Sequence, residues 1–218
     1  MAVKNFLMIS IDDMRTVSNW AHFTPLIRTP HMDRLADMGT TFERAVTQVP
    51  LCNPARTSVL SGLPPSETGV LDNQMPWYER VNPADTLPAV LKAAGAYVAM
   101  FGKHFHTEAP LDAAQQAVMF DEFIPGTSTD GTASQVIQDG LRHDHPFATG
   151  RYRTSDLQDE RTADAAVECL RQRAGDLDEP FFLGVGISKP HPNWWVPSAY
   201  FDLYDPAAIR AALRKSLQ

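Results

Sequence analysis

The chain has 218 residues, 44% hydrophobic and 21% charged, which is the balance of an ordinary globular protein long enough to bury a substantial core. A formal net charge of −7 argues against nucleic acid or an anionic membrane as the main partner, while leaving room for a small anionic substrate in a locally positive cleft. No apolar run approaches the length of a membrane-spanning helix, and Cys52 and Cys169 stand too far apart in context to read as a disulfide framework.

The residues from Met1 to Asn5 lead directly into the apolar run Phe6–Ile11, leaving no room for a signal peptide and predicting a cytoplasmic location. That run stops at Asp12-Asp13, as a buried parallel strand would. Thr29-Pro30 opens a predicted helix with Met32, Leu35 and Ala36 on one face and Gly39 as its stop. A strand-like piece, Thr40 to Ala45, leads to Leu51-Cys52-Asn53-Pro54-Ala55-Arg56. Here Asn53 suits an N-cap, Pro54 the first helical position, and Ser61-Gly62 a stop. A further helix is expected from Asp85-Thr86-Leu87-Pro88, with Val90, Leu91 and Ala94 inward. Tyr97–Phe101 reads as the next strand, ending at Gly102-Lys103. Residues 107 to 153 are rich in Gly, Thr, Asp and His and read as a long, mostly irregular insertion. Ser155-Asp156 begins a long helix whose apolar stripe is Ala163, Ala166, Val167 and Leu170, with Cys169 as a small buried apolar residue. Phe181–Ile187 is another buried strand, ending at Ser188-Lys189-Pro190-His191, and Pro206–Gln218 is a short basic helix.

Strands alternating with helices predict an α/β fold with a mainly parallel sheet sandwiched by helices, formed by one domain over 1–218. Ligands in such sheets bind beyond the carboxyl ends of the strands. The chemically loaded groups fall at those ends: Asp12 and Asp13 after the first strand, Lys103 with His104 and His106 after a central one, Lys189 and His191 after the last. Each has a bland alternative. An Asp-Asp pair is often only a turn, and both carboxylates can hold one hard cation only where the chain has left extended geometry. Cys52 beside Arg56 and a helix start reads equally as a structural thiol or as a reactive one of depressed pKa. The imidazole cluster after Gly102-Lys103 is better explained as a site, with one of its two histidines needed. Trp194-Trp195 either packs a loop or walls a cleft.

With these pieces in order the chain resembles the sulfatases of the alkaline-phosphatase-like superfamily, in the branch containing iduronate-2-sulfatase-type and choline-sulfatase-type enzymes. The resemblance is carried by Cys52-x-Pro54-x-Arg56 followed by Leu60-Ser61-Gly62, by Asp12-Asp13, by Gly102-Lys103-His104-Phe105-His106, and by Phe181–Leu183 through Lys189-Pro190-His191. It runs from Asn5 to about Tyr204. It implies that a maturation enzyme oxidises Cys52 to Cα-formylglycine, and that Asp12, Asp13 and the group at residue 52 meet a divalent cation, Ca²⁺ or Mg²⁺. Arg56 and Lys103 are then expected to offset charge on a sulfuryl group, His191 to protonate the leaving alcohol, and His106 to deprotonate the second hydroxyl of the hydrated aldehyde. The implied substrate is a small-molecule or saccharide sulfate ester. Sulfatases of this type are longer and supply a later Asp-Asn or Asp-His pair and another lysine, so the chain resembles their amino-terminal part. Two alternatives stand beside sulfate-ester hydrolysis: a phosphate or phosphonate ester hydrolase of the same superfamily, and an inactive truncated fragment or binding module.

Overall fold

A computed structural model describes residues 5–14, 26–106, 111–126, 147–150, 157–173, 179–191, 194–197, 200 and 202–216. Its centre is a four-stranded, wholly parallel sheet in the order β1-β5-β2-β3, formed by β1 (Phe6–Ile11), β2 (Tyr97–Gly102), β3 (Glu122–Pro125) and β5 (Phe181–Ile187). A separate two-stranded ladder joins β4 (Phe147–Gly150) to β6 (Trp194–Pro197). The predicted bounds of β1 and β5 are those observed.

The sheet divides the core by the two-residue period of its strands. Val98 and Met100 of β2 and Phe182 of β5 pack with Leu60, Trp77, Phe105, Met119 and Phe120 on one face. Ala99 and Phe101 of β2, with Leu183 and Val185 of β5, pack against Ala166 and Cys169 on the other. The first face is covered by α2 (Cys52–Ser61), α4 (Leu87–Ala93) and α5 (Ala113–Met119), with α3 (Pro65–Thr68) beside α2; the second is covered by α6 (Gln158–Arg173). This is the expected sandwich, and Cys169 is buried as expected.

Several local expectations are corrected. Residues 111–126 are not irregular: α5 starts with a reciprocal capping box between Asp112 and Gln115, and β3 joins the main sheet through Ala99–Gly102. Both elements are too short to show a period, and Phe120 and Phe123 stack beside them at 4.6 Å. The rest of the proposed insertion, apart from β4, lies outside the described residues, as do Ser155 and Asp156. Thr40–Ala45 is exposed and forms no strand, because it has no ladder partner among the described residues. In α4 the buried residues are Pro88 and Ala89, while Val90 points outward; in α6 the buried line is Thr162, Ala166 and Cys169, with Val167 exposed. In both helices apolar residues lie on more than one face: Leu91 of α4 and Ala166 and Leu170 of α6 pack on the core as expected, while Val90 and Val167 do not. The helix α1 (Pro30–Asp37) forms at its predicted place with Thr29 as N-cap, but none of its residues is buried. The strand β1 is also uncovered: its successive residues Phe6 and Leu7, which point to opposite faces, are 50% and 51% exposed. The basic helix near the C-terminus is α7 (Pro206–Ser216).

Candidate functional site

The site forms where β1, β2 and β5 end. Strand pairing persists one residue past β1, with the Asp12 N–H donating to the Ile187 carbonyl at 2.9 Å, and the chain then turns at Asp13 with φ of 56°. That left-handed conformation is one aspartate tolerates. It takes the pair out of extended geometry, which is the condition for two consecutive carboxylates to serve one site.

Cys52 does not stand ahead of a helix capped by Asn53. It is itself the first helical residue of α2: Leu51 is extended and its carbonyl accepts from the Ala55 N–H at 3.0 Å. The side chain of Asn53 is used elsewhere, donating to the carbonyls of Asp72 and Met75, each at 2.8 Å, while its N–H donates to Asn73. Asn53 thereby ties the start of α2 to the 72–75 loop. The expectation of a depressed thiol pKa is also corrected. Burial pushes the Cys52 thiol up and Asp12 adds to this, outweighing Lys103 and Arg56. The unmodified thiol is therefore a poor thiolate nucleophile.

Two cations converge on Asp12. Arg56 reaches it from Nη2 at 2.9 Å, and Lys103, only 2% exposed, holds the other carboxylate oxygen through Nζ. Burial opposes ionisation of Asp12, but the Lys103 hydrogen bond and Arg56 more than offset it, so the carboxyl titrates below its ordinary range. Arg56 also donates from Nη1 to the Lys103 carbonyl at 2.5 Å, and its Nε is buried with no hydrogen-bond partner among the described residues. Lys103 is set by close packing of strand ends. Its N–H donates to the Gly186 carbonyl at 2.9 Å, Gly102 has φ of 84°, and a Cβ at residue 186 would collide with the Lys103 main chain.

The histidines separate into three environments. His104 is 3% exposed, with Nε2 3.0 Å from the Phe101 carbonyl; burial, reinforced by Arg56, lowers its pKa to about 4 against the raising effect of the Gly184 and Phe101 main chain. It is held neutral. His106 is half-buried, its Nδ1 has no partner among the described residues, and its pKa is lowered by burial, then by Lys103 and Arg56. His191 follows the cis Lys189-Pro190 bond and places Nε2 3.9 Å from an Asp13 carboxylate oxygen. One ligand-type atom from each of Asp12, Cys52 and His191 lies within 4.8 Å of the others.

All seven predicted site residues thus meet at one end of the sheet: the ion pairs and the Asp12–Cys52–His191 cluster join six, and His106 feels the charges of Lys103, Arg56, Asp12 and His191. A cleft of about 560 Å³ opens there, lined by Ser10, Asp12, Asp13, Cys52, Arg56 and His104. Sequence reasoning missed Ser10, whose buried hydroxyl has no partner among the described residues. It also missed Asp159, which accepts from the N–H groups of Ser188 and Lys189. The adjacent carboxylates of Asp12 and Asp13 are oxygen donors suited to a hard divalent cation. Among the described residues the donors close enough to share an ion are Asp12, Cys52 and His191, while Asp13, expected as a ligand, stands outside that set with its carboxylate beside His191.

The sequence model of the family described as Sulfatase matches residues 4–209. A protein named Sulfatase from Formosa agariphila is 32% identical over 94% of this chain and 43% of its own length; Iduronate 2-sulfatase from Mus musculus is 28% identical over 92% and 37%. Among solved structures, the phosphonate monoester hydrolase of Silicibacter pomeroyi superposes with a TM-score of 0.68 at 22% identity, over 94% of this chain and 45% of that one. The chain spans roughly two-fifths of the length of these curated relatives. Matched over nearly its whole length, the chain belongs to the sulfatase family.

Proposed function

We propose that the protein to which this sequence contributes hydrolyses sulfate esters, using a formylglycine made from Cys52. The observation that supports this most is the grouping of residue 52 with His191 and with Asp12, which is itself paired to Arg56 and Lys103. A thiol whose pKa is raised is badly suited to direct attack; an aldehyde at the same position, hydrated to a geminal diol, is not.

One diol hydroxyl gives up its proton to solvent as its oxygen attacks the sulfur, and the S–O bond to the alcohol breaks as His191 gives that alcohol a proton. Arg56 and Lys103 offset the charge on the sulfuryl oxygens, the kind of preorganised electrostatic effect that commonly dominates such transfers. His106 then takes the proton of the second hydroxyl; the C=O bond re-forms, sulfate leaves, and water restores the diol. A single hydroxyl would have no such exit and would remain sulfated. Asp12 and Asp13 would hold a Ca²⁺ or Mg²⁺ ion, whose chemistry there is charge stabilisation of sulfate oxygens. The substrate alcohol is a saccharide in this proposal, following the name of the iduronate sulfatase relative.

The test is co-expression with a formylglycine-generating enzyme, peptide mass spectrometry across residue 52, and rates on paired aryl sulfate, aryl phosphate and phosphonate monoester substrates. Aldehyde at residue 52 with preference for sulfate supports the proposal. An active preparation carrying only thiol overturns it. Preference for the phosphonate ester favours the second reading, which the likeness in fold to the Silicibacter enzyme keeps open.

A further inference from the structure

The two main-chain N–H groups that follow β5 have left the sheet and need acceptors where they are buried; Ser188 is only 6% exposed. Both are taken by one side chain on another element. Asp159, in the first turn of α6, accepts from Ser188 N through Oδ1 at 2.7 Å and from Lys189 N through Oδ2 at 2.8 Å. These are short, charge-assisted bonds, and the N-terminal turn of a helix favours the carboxylate that makes them. Two residues on, the His191 N–H donates back to the Ser188 carbonyl at 3.0 Å, so residues 188–191 form a closed turn hung from Asp159. The neighbouring Glu160 accepts from the Tyr200 hydroxyl at 3.1 Å, so the same turn of α6 also grips the chain beyond.

We propose that Asp159 is a positioning residue: its two-pronged hold on Ser188 and Lys189 fixes where His191 stands relative to residue 52. What His191 does there rests on the sulfate-ester reading, but its placement does not. Asparagine at 159 keeps one acceptor and turns an N–H₂ group toward a main-chain N–H, so it retains only part of the hold. Loss of the negative charge alone, without loss of the hold, is mimicked by Glu160→Gln in the same turn.

The test needs no turnover and uses the chain made without a maturation enzyme, so that residue 52 is a thiol. In a His191→Cys, Cys169→Ser background, dibromobimane becomes fluorescent only when it has joined two thiols, here those at 52 and 191. Asp159→Ala is expected to lower the cross-linking rate about tenfold, the population change that losing a charge-assisted hydrogen bond produces. Asp159→Asn falls between, Glu160→Gln stays at the parent rate, and the reaction of Cys52 with a one-armed bimane stays constant throughout. An unchanged rate in Asp159→Ala overturns the proposal. So does an equal fall in Glu160→Gln, which would mark a helix-end charge effect, or a matching change in one-armed reactivity, which would mark general loosening. Failure of Cys52 to be converted in the co-expression experiment would refute the catalytic reading and leave this result standing.

Discussion

Arg56 donates from Nη1 to the main-chain carbonyl of Lys103 at 2.5 Å while its Nη2 holds Asp12 at 2.9 Å, so one guanidinium fixes the backbone of the lysine that shares its carboxylate. Lysine at 56 has a single ammonium and cannot span both acceptors. Arg56→Lys is therefore expected to keep the fold but lower turnover of an aryl sulfate by about 100-fold, as loss of a preorganised donor does. Steady-state kinetics of the converted protein checks this, and a loss under threefold would contradict it.

The buried pairing of Asp12 with Lys103 makes a prediction about stability. Asp12→Asn leaves a lysine with 2% exposure facing a neutral amide, at a cost of about 3–5 kcal/mol. Lys103→Met added to Asp12→Asn should recover part of that loss, since the more deeply buried of the two cations left unpaired is gone while Arg56 remains. Urea denaturation of the three proteins checks the order. Because the Asp12 carboxyl is lowered in the folded state, its stabilisation is present above the ordinary carboxylate range and is lost only as pH falls through the lowered value.

His104 gives a separate acid response at higher pH. Its folded pKa of about 4 lies below the ordinary histidine value of 6.5, so between those values the unfolded chain binds more protons than the folded one. Stability contributed at neutral pH should fall as pH drops below about 6.5 and level off near 4, by roughly 3 kcal/mol in all. His104→Gln should flatten this part of the profile. Urea midpoints measured from pH 7 to 4 compare the two, and parallel profiles would refute the assignment.

Cys52→Ser tests the need for two hydroxyls at one carbon. The serine hydroxyl can attack sulfur once but has no second oxygen from which to expel sulfate. Incubation with substrate should leave an SO₃ group on the peptide containing residue 52, detected by mass spectrometry. Repeated turnover by this variant would contradict the diol mechanism.

The central strands were legible because β1, β2 and β5 are continuous apolar runs with abrupt polar ends, and those ends carry Asp12, Lys103 and His191. What sequence could not supply was tertiary. The raised thiol pKa of Cys52 comes from burial and from Asp12, which lies far from it in the chain. Asn53 looked like a cap because caps and loop ties use the same amide groups, and only the folded 72–75 segment selects between them. Of the inward residues expected in α4 and α6, Leu91, Ala166 and Leu170 pack on the core, while Val90 and Val167 lie outward because an apolar side chain can also face solvent. Asp159 carried no signal because a carboxylate in a first helical turn is ordinary until its partners across 29 and 30 residues are known.

The pairing of β1 has a kinetic consequence. Its ladder is made with β5, and where the two begin, the Asn5 side chain accepts from the Phe181 N–H across 176 residues. Closures across so long a loop are entropically costly and slow. During synthesis β1 must therefore wait, with Phe6, Leu7 and Ile9 unpaired, until β5 has emerged. Asp12 follows β1 directly, so its ion pair with Lys103 depends on that long closure being made.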